Sequence, residues 1–592
     1  MENTEKLRSA DSIADLATLI GYRASTISYI LYHMPEKDRY SSFEIEKKSG
    51  GKRKIEVPTK KLGQLQNSLA NYIGLCREEW DLEKRRKSNH NHSSHGIRRN
   101  TSIYTNATRH ASKRFVFNVD IEDFFPTINF GRVRGYFLKN AHFGTSEKVA
   151  TLIAQIACNG SHLPQGSPLS PIISDLVGEI LDARLTSLTK KKGVFYTRYF
   201  DDLTFSTRKA TFPSAIAAIG SDGKWEPGTR LISAIERAGF KLNLQKTSMQ
   251  YRDNRQSVTS LTVNKKANTS SKYYKDVRAK CNSLFRNGVY YEKFIRDEKT
   301  EAIEIENINI LGGKISHIYY INRVCRGQEI PEKTKNYTGI LKLYERFLKY
   351  KLFASNTNPL VVCEGPTDNI YLTSAIREQH KSFPELATIL DGKVERKIQF
   401  LNLENLESKI LGISGGSSKL VRFFWRNWYE NQVKQFSGGS FKNPVIVLID
   451  NDSGSDSIFS TIKQNYGISI EKNSNDPFFH ICRNLYLVKT PRIGSTIETT
   501  IEDFFPNTLL NTTIEGKKFG RGKKIDTVSE YGKRVFAEKV VRAQRPNIDF
   551  SGFSPLLLRI VEVLNHYNGL AQTKGLLPQK TGKPPNLESA SG

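Results

Sequence analysis

Apolar positions along the 592 residues follow two periods, and these divide the chain into elements. RFVFNVDI (residues 114–121) is apolar, β-branched and aromatic, and predicts a buried strand. VFYTRYFDDLTFST predicts two short strands meeting at the pair Asp201-Asp202. SEKVATLIAQIACN carries a helical period, and TRLISAIERAGFKLN is an amphipathic helix ended by Gly239. Residues 1 to about 50 read as polar helix, and GKRKIEVP (51–58) as a basic hairpin running into a strand. Residues 270–350 read as helices rich in aromatic and basic positions. The turn-rich SNTNP (355–359) then breaks the pattern and is the expected domain boundary. After it, PLVVCEG is a strand entering a glycine turn and helix, and NPVIVLIDND is a buried strand ending in acids. Strands alternating with helices predict a parallel α/β sheet. Residues 507–570 look helical and basic, and 571–592 look like a disordered tail.

Composition changes the picture in one respect. The chain has 89 Lys and Arg against 60 Asp and Glu, a net charge of +29, which points to a polyanion partner, nucleic acid before membrane. A single core seldom grows past about 250–300 residues, so at least two domains are expected. The six cysteines are scattered without a CxxC or Cys/His cluster, which fits free thiols in a reducing cytosol. No stretch of 18 apolar residues and no apolar leader stands in the sequence, so the expected location is cytoplasmic, with no membrane partner. His90, His92 and His95 lie in the basic stretch EKRRKSNHNHSSHGIRRN, which reads as a flexible, solvated loop.

Two acidic constellations carry candidate chemistry. Asp120 ends a buried strand, where a lone carboxylate is costly unless it holds a partner or cation. Asp201 and Asp202 repel each other unless a divalent ion offsets them. Three such acids can hold two Mg²⁺ ions about 4 Å apart for phosphoryl transfer. Taken alone, the pair reads more readily as a solvated turn.

NVDIEDFF, LPQGSPLSP (163–171) and RYFDDLTFS, in that order, resemble motifs A, B and C of reverse transcriptases, with Phe200 as the x of YxDD. The resemblance implies a right-hand polymerase in which Asp120, Asp201 and Asp202 bind the catalytic Mg²⁺. It implies that Gln165 and Gly166 line the template and dNTP pocket, that Arg53 meets the triphosphate, and that Lys246 is the motif D lysine. Phe124 falls where the family has the bulky residue that excludes ribonucleotides. TNATRH supplies Asn106 and His110 of a motif similar to the NAxxH of retron reverse transcriptases. SVTSLTVN, with Val258 and Thr259, resembles their VTG motif, but Ser260 replaces the glycine. These four residues are therefore implied RNA contacts. Family members bind their own structured noncoding RNA, prime from an internal guanosine 2′-hydroxyl, and make branched msDNA. Tyrosines in SSKYYKDVRAK and NGVYYEKFIR either stack on bases or pack a helical thumb.

In the second constellation, Glu364 ends one strand, Asp368 follows a helical turn later, and Asp450 and Asp452 end another strand. Strand C-termini of a parallel sheet form a common crevice, so these acids can meet and bind Mg²⁺. The Glu-Gly then DxD order resembles a TOPRIM domain, most like that of OLD-family nucleases. IEDFFP recurs at 501–506, but Thr500 stands where Asp120 stands in the first copy, so the two are convergent spellings. Glu502 and Lys489 are the implied accessory acid and cation of the nuclease.

The expected architecture is multidomain α+β and α/β: reverse transcriptase fingers and palm (1–240), helical thumb and linker (241–350), a Rossmann-like parallel-sheet TOPRIM nuclease (358–506), a helical extension (507–570) and the tail. The expected function is a retron RNA-directed DNA polymerase. Its partners would be a noncoding RNA, msDNA and dNTPs. It would be fused to an antiphage nuclease that acts on DNA or RNA and is restrained by the RNA–msDNA complex. The alternative is a group II intron-like or other bacterial reverse transcriptase. Its C-terminal half would then be a non-catalytic nucleic-acid-binding or homo-oligomerising module.

Overall fold

The computed structural model describes residues 2–46, 51–87, 92–296, 299–414, 417–522 and 525–574. His90, Gly415, Gly416 and the tail beyond 574 lie outside them. The chain forms two compact units, Met1–Ser270 and Ser271–Gly592.

In the first unit the basic hairpin is present as β1 (Tyr40–Glu46) and β2 (Lys52–Pro58), followed by the long helix α1 (Lys60–Lys87) and the short α2 (Ile103–Arg109). The central sheet contains β3 (Phe115–Glu122), β4 (Phe195–Tyr199), β5 (Asp202–Thr207) and β6 (Lys241–Tyr251), in the order β4-β5-β3-β6 and antiparallel throughout. Helices α3 (Ser170–Lys190) and α4 (Thr229–Glu236) pack beside it. Residues 241–251 were expected in a helical thumb, but they are the edge strand of this sheet. LNLQKT alternates side chains as a strand does, and β3 supplies its hydrogen-bond partners. The unit ends with a two-residue hairpin, β7 (Ser257–Val258) and β8 (Leu261–Thr262). Its turn residues Thr259 and Ser260 both have positive φ, 45° and 67°, the geometry in which glycine is favoured. A backbone conformation thus underlies the glycine of the VTG pattern.

A buried charge network ties the helices to the sheet. Arg198 of β4 has no exposed surface. Its guanidinium meets Asp182 at 2.7 and 2.8 Å and Asp175 at 3.1 Å, both on α3. Tyr196 donates a further bond to Asp182 at 2.8 Å. Gly178 makes room for it, since a Cβ there would lie 2.7 Å from the guanidinium carbon. Around Asp175, Arg77 and Arg98 pair with Glu179 at 2.5 and 2.7 Å, and Arg98 with Asp81 at 2.6 Å. The stretch 92–98 feeds this network. His95 is buried and Arg98 is nearly so, which corrects the reading of that segment as a solvated loop.

The second unit is a three-layer α/β arrangement. Helices α5 (Ser271–Asn287), α6 (Ile308–Asn322) and α7 (Ile340–Lys349) come first, with a β-hairpin (Tyr290–Arg296 and Lys299–Ile305) between α5 and α6. The sheet follows, with β9 (Leu360–Cys363), β10 (Gln399–Phe400), β11 (Val445–Ile449), β12 (Phe479–Cys482) and β13 (Leu485–Lys489). Its order is β10-β9-β11-β13-β12, parallel except for β12. Alternate strand residues feed two cores, as the two-residue period requires. Val362, Val447 and Leu487 pack with Val277, Phe285, Ile315 and Phe347 of α5, α6 and α7. Val361, Ile446 and Val488 pack with Tyr371 of α8 (Pro366–Glu378) and Ile560 of α9 (Ser554–Lys574). Helices expected in a separate thumb are therefore one layer of the α/β unit. The contact is close at Gly288 and Gly438, where a Cβ on Gly438 would fall 2.1 Å from the Gly288 nitrogen. Residues 507–553 also depart from the helical expectation, holding short helices, irregular turns and the two-stranded pair Lys518–Phe519 and Glu530–Tyr531.

Replacing Arg198 by Met would leave Asp182 buried without its cation. The expected loss is about 3–5 kcal/mol in the unfolding transition of the first unit, read by thermal melting. An unchanged melting temperature would show that the network carries no net stability.

Candidate functional site: two carboxylate clusters

The first cluster is built by strand register. Asp120 on β3 pairs directly with Asp202 on β5, and the Ile121 amide donates to the Asp201 carbonyl at 3.1 Å. Phe200 makes the intervening turn at φ +55°, a strained value for an aromatic residue. The segment 93–96 holds that turn. The His95 amide donates to the Arg198 carbonyl and the Arg198 amide to the Ser93 carbonyl, each at 2.8 Å. A Cβ on Gly96 would stand 3.2 Å from the Phe200 ring, a tight contact that favours glycine there.

Asp120, Asp201, Arg53, Gln165, Gly166 and Lys246 all line one cleft of about 930 Å³. Gly166 sits at φ +129° where a Cβ would be 2.6 Å from the Glu56 carbonyl, and the Glu56 amide donates to the Gln165 carbonyl at 2.7 Å. Only glycine lets that loop close on β2. The Lys246 ammonium lies 2.9 Å from Asp120, and the attraction raises its pKa. Desolvation, then the Asp120 charge, raises the Asp201 carboxyl above the usual range. Asp202 keeps an exposed side chain. The protein around it and the charges of Asp201 and Asp120 nevertheless raise its carboxyl too. Crowded, oxygen-only and mutually repelling, this donor set suits a hard divalent cation. Among the described residues no three acids are already drawn into a closed cage.

Phe124 also lines this cleft, but its ring is 2% exposed and stacks on Phe240 at 5.3 Å, so most of it is packed in the core. Phe125 is half-buried, lines the cleft and faces Phe200 at 6.4 Å.

Residues 45–315 match the family model for reverse transcriptase (RNA-dependent DNA polymerase). This segment is therefore similar to reverse transcriptases, and its relatives include retron enzymes. The chain is 29% identical over 270 residues to the retron Mx65 reverse transcriptase of Myxococcus xanthus, covering 42% of this chain and 57% of that one. It is 29% identical over 291 residues to the retron Ec86 reverse transcriptase of Escherichia coli, covering 48% and 82%. It is 32% identical over 283 residues to the retron Mx162 reverse transcriptase of Myxococcus xanthus, covering 44% and 54%. The chain thus spans about half the length of the two Myxococcus relatives.

Within this segment, the residues expected to touch RNA bond to or pack within the protein itself. Asn106 and His110 are buried. His110 bonds Ser206 of β5 and Thr197 of β4, each at 2.7 Å, and Asn106 accepts from Thr197. Val258 is also buried, and Thr259 donates to the Ile103 carbonyl at the start of α2, at 3.2 Å. The two motifs brace the strands behind the acidic turn.

The second cluster lies beyond the family match. Glu364 and Asp450 follow adjacent parallel strands, and the Asp450 amide donates to Glu364 at 3.4 Å. Asp450 also accepts from the Ile501 amide at 2.8 Å, which brings the second IEDFFP to the site. Asp368 accepts from the Gly365 amide at 2.7 Å. Glu502 is 1% exposed, with Lys533 2.9 and 3.0 Å from its two oxygens. Burial, then Asp368, Glu502 and Glu364, pushes the Asp450 carboxyl up to about 9. Burial likewise pushes Asp368 to about 7, with Glu502 adding to it. Burial opposes charge on Lys533, yet Glu502, Asp450 and Asp368 raise its pKa. Asp452 instead caps its own turn, accepting from the Gly454 amide at 2.7 Å. Lys489 is spent on the Glu471 and Lys472 carbonyls at 2.5 and 2.9 Å, away from the acids. Lys533 is the cation that sequence reasoning missed. Nothing in GKRV marks it, because Glu502 stands 31 residues away.

Burial holds the His110 imidazole down to about 3, against about 6.5 in an unfolded chain. The unfolded state then takes up a proton that the fold refuses. Stability is full above pH 6.5 and falls as pH drops toward 3, by at most about 1.4 kcal/mol per pH unit. His95, held to about 4, adds a similar dependence. His110→Gln should therefore flatten the acid limb of a melting-temperature profile by roughly half, and an unchanged slope would mean His110 is protonated in the fold.

Proposed function

We propose that the chain is a retron reverse transcriptase fused to a metal-dependent nuclease. The polymerase half would copy a structured noncoding RNA into branched msDNA. The observation that carries this reading is the register pairing of Asp120 with Asp202 beside Asp201, at the mouth of a cleft lined by Arg53, Gln165 and Lys246. Asp120, Asp201 and Asp202 would hold Mg²⁺, which when bound supplies activation of the primer hydroxyl and neutralises the pyrophosphate. The chain's own residues do the rest. Arg53 and Lys246 place fixed positive charge on opposite strands of the cleft, where a triphosphate enters. Lys246 screens Asp120 until a cation takes its place. Both Phe124 and Phe125 line the cleft, and the less buried Phe125 ring would take the sugar-discriminating role in place of Phe124.

In the second unit we read the parallel sheet, with Glu364 and Asp450 at its strand ends and Asp368 and Glu502 on the helical turns beside them, as a TOPRIM nuclease. It would be the effector of an antiphage system, restrained by the RNA–msDNA complex. Glu364 and Asp450 would hold Mg²⁺, with Asp368 and Glu502 shaping the charge. Lys533 would stand beside the scissile phosphate in place of Lys489.

Protein purified with its native RNA should carry a short DNA branched from RNA, absent from an Asp201→Asn, Asp202→Asn variant, whose DNA synthesis falls on the order of a thousandfold. RNA alone in both samples would sink the msDNA reading. Phe125→Ala should admit ribonucleotides, whereas Phe124→Ala should lower the melting temperature without changing sugar choice; the reverse pattern would restore Phe124 to the gate. For the nuclease, a cation must displace protons from Asp450 and Asp368. Mg²⁺ binding should therefore release protons and raise the melting temperature more at pH 8.5 than at pH 6.5. Glu364→Ala should abolish both that shift and phosphodiester cleavage. A second unit that ignores Mg²⁺ and keeps its cellular effect after Glu364→Ala would be a binding module.

A further inference from the structure

The cleft is not the only concave basic surface of the first unit. Helices α3 and α4 pack side by side and leave between them a groove of about 700 Å³. Arg184 on α3 and Arg230 and Arg237 on and just after α4 line it, with Ser187, Thr229 and Ser233. All three arginines are exposed, and none has a carboxylate partner among the described residues. No acid lines the groove; Glu236 is on α4 but outside it. Unpaired guanidiniums held together repel one another, and a polyanion relieves that cost. Arg230 and Arg237 are seven residues apart, so they share one face about 10 Å apart along the helix, a span that covers more than one phosphate.

The lining also says which polyanion. The catalytic cleft presents Phe125 and Phe200, on which an unpaired base can stack. The groove has no aromatic residue at all, only Ala183, Leu188 and Ala234 between its polar groups. Without a stacking platform, single-stranded bases gain nothing there. Three arginines with three hydroxyl side chains suit a double helix read through its phosphates and 2′-hydroxyls. We infer that the groove between α3 and α4 is a second RNA-binding site, which grips the backbone of a duplex RNA stem irrespective of sequence while the cleft works elsewhere. The inference rests on the reading of the chain as an RNA-handling polymerase, but on a surface that the chemistry does not use.

The test uses the full chain with Arg184, Arg230 and Arg237 changed together to Gln, and a second variant with all three changed to Lys. Binding of a blunt RNA duplex of about 20 base pairs, and of the DNA duplex of the same sequence, is measured between 50 and 200 mM salt. DNA synthesis on a short primed RNA template is measured beside it. The Gln variant should lose about tenfold or more in RNA-duplex affinity, and the slope of log K against log salt should fall by roughly two to three. The Lys variant should keep most of both, and template copying should be unchanged in all three proteins. An unchanged affinity and slope in the Gln variant would overturn the site. An equal loss for the DNA duplex would overturn its assignment to RNA. Absence of synthesis in the unmodified chain would instead count against the polymerase reading, whatever the duplex data show.

Discussion

A guanidinium with no water holds the first unit in shape. Arg198 sits at the root of the acidic turn, and its charge is offset by Asp182 and Asp175 on α3, with the Phe200 carbonyl accepting a further bond at 3.4 Å. A buried ion of this kind costs several kcal/mol to desolvate, and only good geometry offsets it. The geometry comes from three separate choices: a glycine at 178 that leaves room, a tyrosine at 196 that completes the Asp182 shell, and Ser94, which bonds Asp175. Strands β4 and β5, helix α3 and the 92–98 segment are thereby pinned to one point. The strained Phe200 turn is two residues away. Its backbone can be held out of its preferred region because what flanks it cannot move.

The same logic explains the two motifs that looked like ligand contacts. Asn106 and His110 complete hydrogen bonds to Thr197 and Ser206, on either side of the turn, and the Thr259 hydroxyl ties the last hairpin to α2. A polar residue in a sequence motif reads as available. Burial makes it structural, because an unpaired polar group there would cost about 1–3 kcal/mol.

Much of the first site was legible because its information is local. A strand ending in Asp, a glycine loop and an acidic hairpin each sit within about ten residues, and register then brings them together. What was not legible depends on distant partners. Phe124 and Phe125 are adjacent and chemically identical and both line the cleft, but Phe240, more than a hundred residues on, buries the Phe124 ring. Lys533 and Lys489 differ only in what lies opposite, carboxylates for one and backbone carbonyls for the other. Asp452, singled out by the DxD spacing, caps its own turn by accepting from the Gly454 amide. The parallel sheet was readable from its runs of apolar residues. The seam between units was not. SNTNP has turn composition, yet Asn356 is buried and donates to the Pro444 carbonyl at 3.2 Å, so the break is a packed corner inside one unit.

The close approach of Gly288 to Gly438 bears on how such a chain could be assembled over time. The match to the reverse transcriptase family model runs on through residues 271–315. By packing, they are a layer of the α/β unit, sharing a core with β9, β11 and β13. A recombination event that swapped the C-terminal module at SNTNP would tear that core in half. One that cut at residue 270 would keep both cores whole but take the end of the family's own sequence with it. The segment thus has two owners, and neither half of the chain can be exchanged without rewriting it.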